Sequence, residues 1–192
     1  MRNRKEELLD GLIEYLVRHG PSDLSLRPMA AEIGTSARLL IFHFQSKEQL
    51  LVEVLDEMQA RLQGSLARLQ AAKPGPRRAP LLRMFWDWAT SETNFGHLCL
   101  HYQLHILAVQ SRGIYAQYLE RNSENWLRAI QAALPAEKQD PAFATLLGAV
   151  FDGLFIELMS TGDKKRTTKA LDEFIQLATQ QTKTVKPSRR RS

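Results

Sequence analysis

The sequence predicts an all-α protein in which an N-terminal group of three helices precedes a longer helical region. Apolar residues recur at helical spacing through long segments of the 192-residue chain, and only 10 glycines and 8 prolines interrupt them. No stretch alternates apolar and polar residues between two hairpin turns. With 44% hydrophobic residues, the chain can bury an ordinary core as one domain or as two small ones.

The first predicted helix follows Asn3, which can form a capping box with Glu6. Apolar residues between Leu8 and Val17 share one face of this helix. The helix ends at His19-Gly20-Pro21, because glycine and proline do not continue it. We expect its apolar face to cover the two helices that follow.

Residues 24–44 have the pattern of two short helices joined by a tight turn. Ser25 is a suitable N-cap for the first, and Gly34 ends it because glycine tolerates the left-handed backbone of a sharp turn. Ser36 then caps a second short helix from Ala37 to about His43. This spacing predicts a helix-turn-helix. Its predicted core residues are Leu24, Met29, Ile33, Leu40 and Phe44.

A long helix is predicted to begin at Lys47, where Ser46 and Gln49 have the spacing of a capping box. Apolar residues continue it to Leu69, and two prolines and a glycine within residues 72–78 end it. Five further helices are predicted, at residues 80–91, 95–109, 114–134, 141–160 and 167–181.

The N-terminal region resembles the TetR family of bacterial transcriptional regulators. The residues that carry the resemblance follow the family's order without gaps, and they are Ala30, Gly34-Thr35-Ser36, Leu40-Ile41-Phe42-His43-Phe44 and Ser46-Lys47-Glu48. The resemblance implies a helix-turn-helix DNA-binding domain at residues 1–47 and a helical effector-binding and dimerisation domain at residues 48–182. Residues 183–192 form a basic tail that we expect to be disordered, with added DNA affinity as the alternative.

Double-stranded operator DNA is therefore the expected partner of the first domain. Arg38 is the main candidate for a base edge, because a guanidinium can bond guanine bidentately. We expect Lys47 and the amide end of its helix to hold phosphate. Ile41 departs from the family, which often has a tyrosine there, and neither Ile41 nor Phe42 can donate a hydrogen bond. The complete set of predicted DNA contacts is Arg27, Thr35, Ser36, Ala37, Arg38, Ile41, Phe42, His43 and Lys47.

Placement of charge matters more here than the net charge of +5. The tail residues Lys183, Lys186, Arg189, Arg190 and Arg191 are five of the 26 basic residues, and without them the 21 left equal the 21 acidic residues. The basic residues at the N-terminal arm and at helix starts lie where phosphate is expected to pass, and they are Arg2, Arg4, Lys5, Arg27, Arg38 and Lys47.

The second domain is expected to bind a small apolar or aromatic effector, and the family resemblance implies that it forms a homodimer through the last two long helices. Large aromatic residues with a few polar groups among them are the usual lining of a small-molecule pocket, although core packing explains the same composition. The predicted pocket residues are Trp86, Phe95, Tyr102, Gln103, His105, Asn122, Trp126, Phe151, Asp152 and Phe155. Apolar residues on the last two long helices exceed one stripe, as expected for burial on two sides, although a helix buried within a single subunit would look similar.

Other classes of function find little support in the sequence. No nucleophile motif or phosphate-binding loop is present, so we expect neither an enzyme nor a cofactor. His97, His101 and His105 share a helix face, but a metal site needs further ligands and is not favoured. The single cysteine, Cys99, and the charged N-terminus suit a soluble cytoplasmic protein. The apolar stretch 146–159 is too short to span a membrane.

Two alternatives to an effector-responsive regulator stay open at this point. One is a TetR-like interaction module that does not read DNA sequence, which the apolar pair Ile41 and Phe42 makes conceivable. The other is a constitutive DNA binder without a small effector.

Overall fold

The computed structural model describes residues 3–21, 24–71, 80–134 and 136–184. In these ranges the chain forms nine α-helices, one 3-10 turn at Ala136–Lys138 and no strand, which confirms the all-α prediction. The helices are α1 (Arg4–His19), α2 (Leu26–Glu32), α3 (Ala37–Phe44), α4 (Lys47–Ala71), α5 (Leu81–Ala89), α6 (Glu92–Gln110), α7 (Arg112–Ala133), α8 (Pro141–Thr161) and α9 (Lys164–Thr184). The predicted loop at 72–78, most of the predicted tail and Arg2 lie outside the described residues.

Two helices begin three residues earlier than the sequence predicts. The α9 helix starts at Lys164 because the Asp163 carboxylate accepts a hydrogen bond from the N–H of Arg166 at 2.9 Å. The α6 helix starts at Glu92, since the N–H of Phe95 already donates to the carbonyl of Ser91. Both differences lie in the first turn of a helix. Residues that the sequence assigns to the preceding loop form this turn in the structure.

The contacts within the chain divide it into two compact units. The first comprises residues 1–68 and 91–129, and therefore α1 to α3, α6 and most of α4 and α7. The second comprises residues 69–90 and 130–192, with α5, α8 and α9. The predicted division at residue 47 separates two functions rather than two groups of helices in contact. It stays a prediction.

The first unit has a single apolar core that begins in the helix-turn-helix. The buried side chains of α1, α2, α3 and α4 meet here, and Leu12, Met29, Leu40, Phe44 and Leu50 are fully buried. Leu24 and Ile33, also predicted for this core, are half buried and pack against its edge. The end of α2 lies close to α1 at Gly11, because a Cβ on this glycine would lie 3.2 Å from the side chain of Ile33. This packing holds α3 in place from behind.

The second unit is built around aromatic rings. Phe85 and Trp86 of α5 pack against Phe151 of α8, with ring centroids 5.0 Å and 5.7 Å apart. Arg83 on α5 bonds Asp172 on α9 at 2.5 Å, which joins those two helices. The interior of this unit is thus made by the last two long helices together with α5.

The α8 helix keeps an uncovered apolar side. Leu146 is 49% exposed and Ile156 is 48% exposed, although Phe151 and Phe155 on the same helix are buried. By length and composition alone, α8 is the one described helix that could span a membrane, so the sequence-based exclusion by length was wrong. A helix buried on two sides in a soluble assembly has the same length and composition.

Candidate functional site

The turn between α2 and α3 is a complete Schellman motif. Gly34 has a φ of 71°, in the left-handed region that favours glycine. The N–H of Thr35 donates to the carbonyl of Ala30 at 2.8 Å, and the N–H of Gly34 donates to that of Ala31 at 3.3 Å. The next helix starts directly, because the Ser36 hydroxyl accepts from the N–H of Leu39 at 3.1 Å. Both predicted roles, of Gly34 as terminator and of Ser36 as cap, are confirmed.

Helix α3 has one buried and one exposed face. Leu40 and Phe44 are fully buried, whereas Arg38, Ile41 and Phe42 are exposed, as the sequence predicts. These three share one face, because residues three and four apart on a helix are neighbours. Phe42 is 77% exposed, an unusual position for a phenylalanine in the described part of the chain. The face therefore combines one guanidinium with two uncovered apolar side chains.

Three predicted contacts at the start of α3 differ in accessibility. Ser36 is exposed, although its hydroxyl already caps the helix. Ala37 is half buried and packs against the core. The Thr35 hydroxyl is closed off from solvent and has no hydrogen-bond partner among the described residues. Of these three, only Ser36 presents its side chain at the surface without a rearrangement.

The remaining predicted contacts lie at helix ends around α3. Arg27 is exposed in the first turn of α2, and Lys47 is half buried in the first turn of α4. His43 is half buried, with its ring 5.3 Å from that of Phe42. The Ser46 hydroxyl accepts from the N–H of Gln49 at 3.0 Å, so one half of the predicted capping box forms. The other half does not, because the N–H of Ser46 donates to Phe44.

Two basic residues that are predicted to face phosphate form ion pairs with acidic side chains in the structure. The Lys5 ammonium lies 2.6 Å from a carboxylate oxygen of Glu53 and 5.2 Å above the Phe44 ring. Arg4 bonds Glu7 at 3.1 Å on the surface of α1. Lys5 therefore joins α1 to α4, and its charge is paired in this structure, so its role as a phosphate contact stays a prediction.

Four predicted pocket residues lie in the second unit. Trp86, Phe151 and Phe155 meet there, with centroids 5.7 Å to 6.3 Å apart, and all three are buried. The Trp86 indole N–H donates to the Thr168 hydroxyl at 2.9 Å. Asp152 is exposed on another side of α8, so the structure does not bring it to these rings.

The other six lie in the first unit. Phe95, Tyr102, His105 and Trp126 are half buried, and Asn122 is buried. The structure brings together His105 and Tyr118, whose ring centroids lie 6.2 Å apart, and Asn122 follows Tyr118 by one turn of α7. Gln103 is exposed on the outer side of α6 and does not join them.

Sequence reasoning missed three residues that the structure adds to this group. They are buried polar side chains, namely Gln59 of α4, His101 of α6 and Tyr118 of α7. The Gln59 amide donates to the carbonyl of Asn122 at 3.5 Å, and the rings of His101 and His105 are 6.2 Å apart. Burial, and then the neighbouring His105, lower the pKa of His101 to about 4, so its ring is neutral at pH 7.

The row of three histidines on α6 divides between two environments. His97 is half buried, and its ring contacts the Glu14 carboxylate and the carbonyl of Thr93, each at 3.2 Å. Over the described ranges, no group of three His, Cys, Asp or Glu side chains could hold a metal ion. Burial raises the pKa of the Cys99 thiol, which keeps it protonated and unreactive.

An open pocket of about 490 Å³ lies between α1 and α4, away from every predicted site residue. Its lining includes the carboxylates of Glu6, Asp10, Glu14 and Glu57. Arg61 bonds both Asp10 and Glu57, which neutralises part of this charge. The remaining acidic character makes this pocket unsuitable for phosphate.

Comparison with known proteins gives one match to the N-terminal region and others to most of the chain. The sequence model for bacterial regulatory proteins of the tetR family matches residues 8–54, which contain the helix-turn-helix and the start of α4. The HTH-type transcriptional regulator BetI of Agrobacterium fabrum is 25% identical over 158 residues, which are 80% of this chain and 75% of that protein. BetI of Rhizobium meliloti is 26% identical over 157 residues, 80% of this chain and 76% of that protein.

Residues 8–54 of the chain form a TetR-family helix-turn-helix domain. A chain with this domain and these relatives is a DNA-binding transcriptional regulator rather than an enzyme. The helix-turn-helix built by α2 and α3 is its DNA-binding element, as the resemblance of the sequence implies.

Solved structures share the TetR-family fold over most of the chain. The multidrug binding protein EbrR in complex with imidazole has a TM-score of 0.67 and 22% identity, covering 88% of each chain. A transcriptional regulator from Rhodococcus sp. Rha1 has a TM-score of 0.72 and 19% identity, covering 91% of this chain and 95% of that one. A TetR-family member from Streptomyces coelicolor A3 has a TM-score of 0.64 and 24% identity, covering 90% and 98%. At these identities the likeness concerns the fold alone.

Proposed function

We propose that this TetR-family protein is a repressor that binds a near-palindromic operator as a homodimer and leaves it when a small molecule binds. The observation that carries this proposal is the exposed face of α3. Arg38 stands there beside Ile41 and Phe42, held in place by a buried opposite face. A surface helix of this kind, reached by a tight turn, fits the major groove.

Base reading is assigned to this face. Arg38 can bond the O6 and N7 atoms of guanine, and Phe42 and Ile41 can contact the methyl group of thymine. Ser36 is placed for a base or phosphate contact at the start of the helix, and Thr35 joins it if the turn adjusts on binding. Because the face has a single cation, apolar contact and shape must supply much of its selectivity.

Phosphate binding is assigned to the helix starts around α3. The Lys47 ammonium and the first N–H groups of α4 provide positive charge at one end. Arg27 on α2 and His43 on α3 supply further contacts, and Ala37 allows the backbone to approach. These contacts set the position of the protein on the duplex without reading its sequence.

The uncovered apolar side of α8 supports the homodimer. Leu146, Ala149, Gly153 and Ile156 are all exposed and recur at spacings of three and four, which places them along one stripe. On α9, Leu177 is also exposed. A second copy that covers this stripe would bring two recognition helices into one assembly, and a near-palindromic operator with half-sites about 34 Å apart requires two such helices. The same cover accounts for the hydropathy of α8 in a cytoplasmic protein.

The response to a small molecule is supported by proteins of the same fold. EbrR is a multidrug binding protein whose structures contain imidazole, ethidium or proflavin. In this chain we place an apolar or aromatic effector among the half-buried aromatic residues of α6 and α7. They lie in the same compact unit as α3, so a movement of α6 and α7 can displace the recognition helix α3 through α1 and α4.

Selection of bound duplexes from a random pool tests the DNA-reading part. A repressor of this kind enriches a near-palindrome with half-sites about 10 base pairs apart. The Arg38→Ala variant should lose the preference for guanine at one position of each half-site. Arg128→Ala, a change of an exposed arginine on α7, serves as the matched control and should enrich the parent site. Failure of the parent to enrich any palindrome at moderate salt would favour the TetR-like interaction module.

A screen of apolar and aromatic compounds by thermal shift tests the effector part. A compound that binds the folded state raises its melting temperature, and we expect the same compound to weaken binding to the enriched site. Stabilising compounds without any effect on DNA binding, or no stabilising compound at all, would indicate a constitutive DNA binder.

A further inference from the structure

A small group of buried polar atoms lies on α6 and α7 in the first unit. His101 is 7% exposed, Tyr118 is 1% exposed and Asn122 is 6% exposed. Each of the three has a polar atom closed off from solvent, namely Nδ1 of His101, the hydroxyl of Tyr118 and Oδ1 of Asn122. Within the described chain, none of these atoms has a hydrogen-bond partner.

The three side chains belong to one region. The ring of His105 links two of them, because its centroid lies 6.2 Å from that of His101 and 6.2 Å from that of Tyr118. Tyr118 and Asn122 are four residues apart and share a face of α7. Gln59 reaches this region from α4 and donates to the carbonyl of Asn122 at 3.5 Å.

Such atoms reduce the stability of a folded protein. A buried polar group without a partner has lost its bonds to water and gained nothing in exchange, and native proteins contain few of them. Three in one region, contributed by side chains of three different chemistries, therefore indicate a partner that the chain itself does not supply.

The charges around the group restrict what this partner can be. The ring of His101 is neutral at pH 7, because burial disfavours its charged form. The nearby carboxylate of Asp56 is held by Arg121 at 2.7 Å. Among His101, Tyr118 and Asn122 there is no carboxylate to balance a cation and, at pH 7, no charged base to balance an anion. An uncharged molecule avoids both penalties.

We propose that His101, Tyr118 and Asn122 form the hydrogen-bonding end of the effector site, which takes an uncharged aromatic molecule that carries both a donor and an acceptor. This assignment rests on the proposed response to a small molecule and names its ligand class. The rings of His105 and Tyr118 supply flat walls, and the Oδ1 atom of Asn122 accepts a hydrogen bond from the ligand.

Entry of a ligand must move the helices. The three polar atoms are shielded from solvent in this structure, so α6 and α7 have to separate before a ligand can reach them. Because α6 also contacts α1 through His97 and Glu14, this separation is transmitted toward the helix-turn-helix. Ligand binding and the position of α3 are then linked through one compact unit.

Three neutral probes test the site, namely benzamide, phenol and 2-pyridone, each with a donor and an acceptor. Binding is measured by thermal shift and isothermal calorimetry at pH 7.5. We expect at least one probe to bind saturably to the parent, and benzamidine, a cation of the same shape as benzamide, to bind at least tenfold more weakly than benzamide. Absence of binding by all three neutral probes, or tighter binding of benzamidine, would overturn the proposal.

Matched variants localise the binding. Tyr118→Phe removes only the hydroxyl and should weaken the probe at least tenfold, whereas Tyr115→Phe, a change of a buried tyrosine on the same helix, should not weaken it. Without ligand, Tyr118→Phe should keep or raise the melting temperature, because it deletes an unpartnered group. A lower melting temperature, or unchanged probe binding, contradicts the assignment. Asn122→Leu removes another of the unpartnered atoms and provides an independent comparison, in which the probe should again bind at least tenfold more weakly.

Measurement of release from operator DNA distinguishes a failure of this ligand site from a failure of the proposed response to a small molecule. If a probe binds the parent but not Tyr118→Phe, and DNA binding does not change, the site stands and the proposed response fails. If a compound releases DNA equally from the parent and from Tyr118→Phe, the response stands and this site is wrong.

Discussion

The backbone N–H of Ser46 donates to the carbonyl of Phe44 at 2.8 Å, which closes a three-residue turn around Gln45. Gln45 has a φ of 67° and a ψ of −48°, close to the strained form of the γ-turn. Apart from glycines, it is the one residue with a positive φ in the described chain. This strained residue joins the recognition helix α3 directly to the long helix α4, so it fixes the direction of one relative to the other.

The Gln45→Gly variant should be more stable than the parent. Glycine removes the steric penalty of the positive φ, and after subtraction of its larger unfolded-state entropy we expect a gain of about 1 kcal/mol. Equilibrium denaturation with urea measures it. Gln117→Gly, in the interior of α7 and exposed, is the matched control and should lose about 1 kcal/mol. Equal losses at the two positions would show that Gln45 is not strained.

Arg38→Ala and Lys47→Ala should weaken DNA binding in different ways. The first removes a base contact, so we expect a loss of about 1–3 kcal/mol on the selected site and a relaxed preference at one base pair. The second removes a phosphate contact, so binding should weaken about equally on all sequences, and the salt dependence should fall by roughly one unit of slope. Titrations at several salt concentrations, on the selected site and on a scrambled one, measure both. Unchanged selectivity in Arg38→Ala together with lost selectivity in Lys47→Ala would reverse the roles.

Leu146→Glu should convert the proposed dimer into monomers. A carboxylate on the apolar stripe of α8 loses its hydration when the stripe is covered, and nothing on the stripe compensates it. Light scattering should then report 21.9 kDa, the mass of one chain, instead of twice that value. Ile106→Glu on α6 is the matched control, since Ile106 is also 49% exposed and lies outside the stripe. A parent that is itself monomeric would refute the dimer directly.

The helix-turn-helix could be predicted because each of its boundaries has a local cause. Gly34 provides the left-handed residue, Ser36 provides a cap, and Asn3 with Glu6 forms a complete capping box. The strain at Gln45 could not be predicted, since glutamine carries no turn signal. It is imposed by the two helices on either side.

The polar group on α6 and α7 could be predicted only in part. The spacing of His97, His101 and His105 places them on one helix face, but spacing does not show which of them is buried. That depends on non-local packing, here of His105 against Tyr118 and of His97 against Glu14. For the same reason the ten predicted pocket residues fall in two units, because an aromatic residue has the same sequence pattern in a core as in a pocket.

Titration of His101 should make the protein less stable in mild acid. Its pKa is about 4 in the folded state, below the ordinary value of 6.5, so between these two pH values the unfolded chain binds a proton that the folded chain does not. Stability is therefore complete above pH 6.5 and falls as the pH drops toward 4, by about 3 kcal/mol over the window. The His101→Leu variant should lack this contribution, whereas His97→Gln retains His101 and should follow the parent. Denaturation curves at pH 7.5, 6, 5 and 4 measure the difference, and parallel profiles for the parent and His101→Leu would show that His101 is not held neutral by burial.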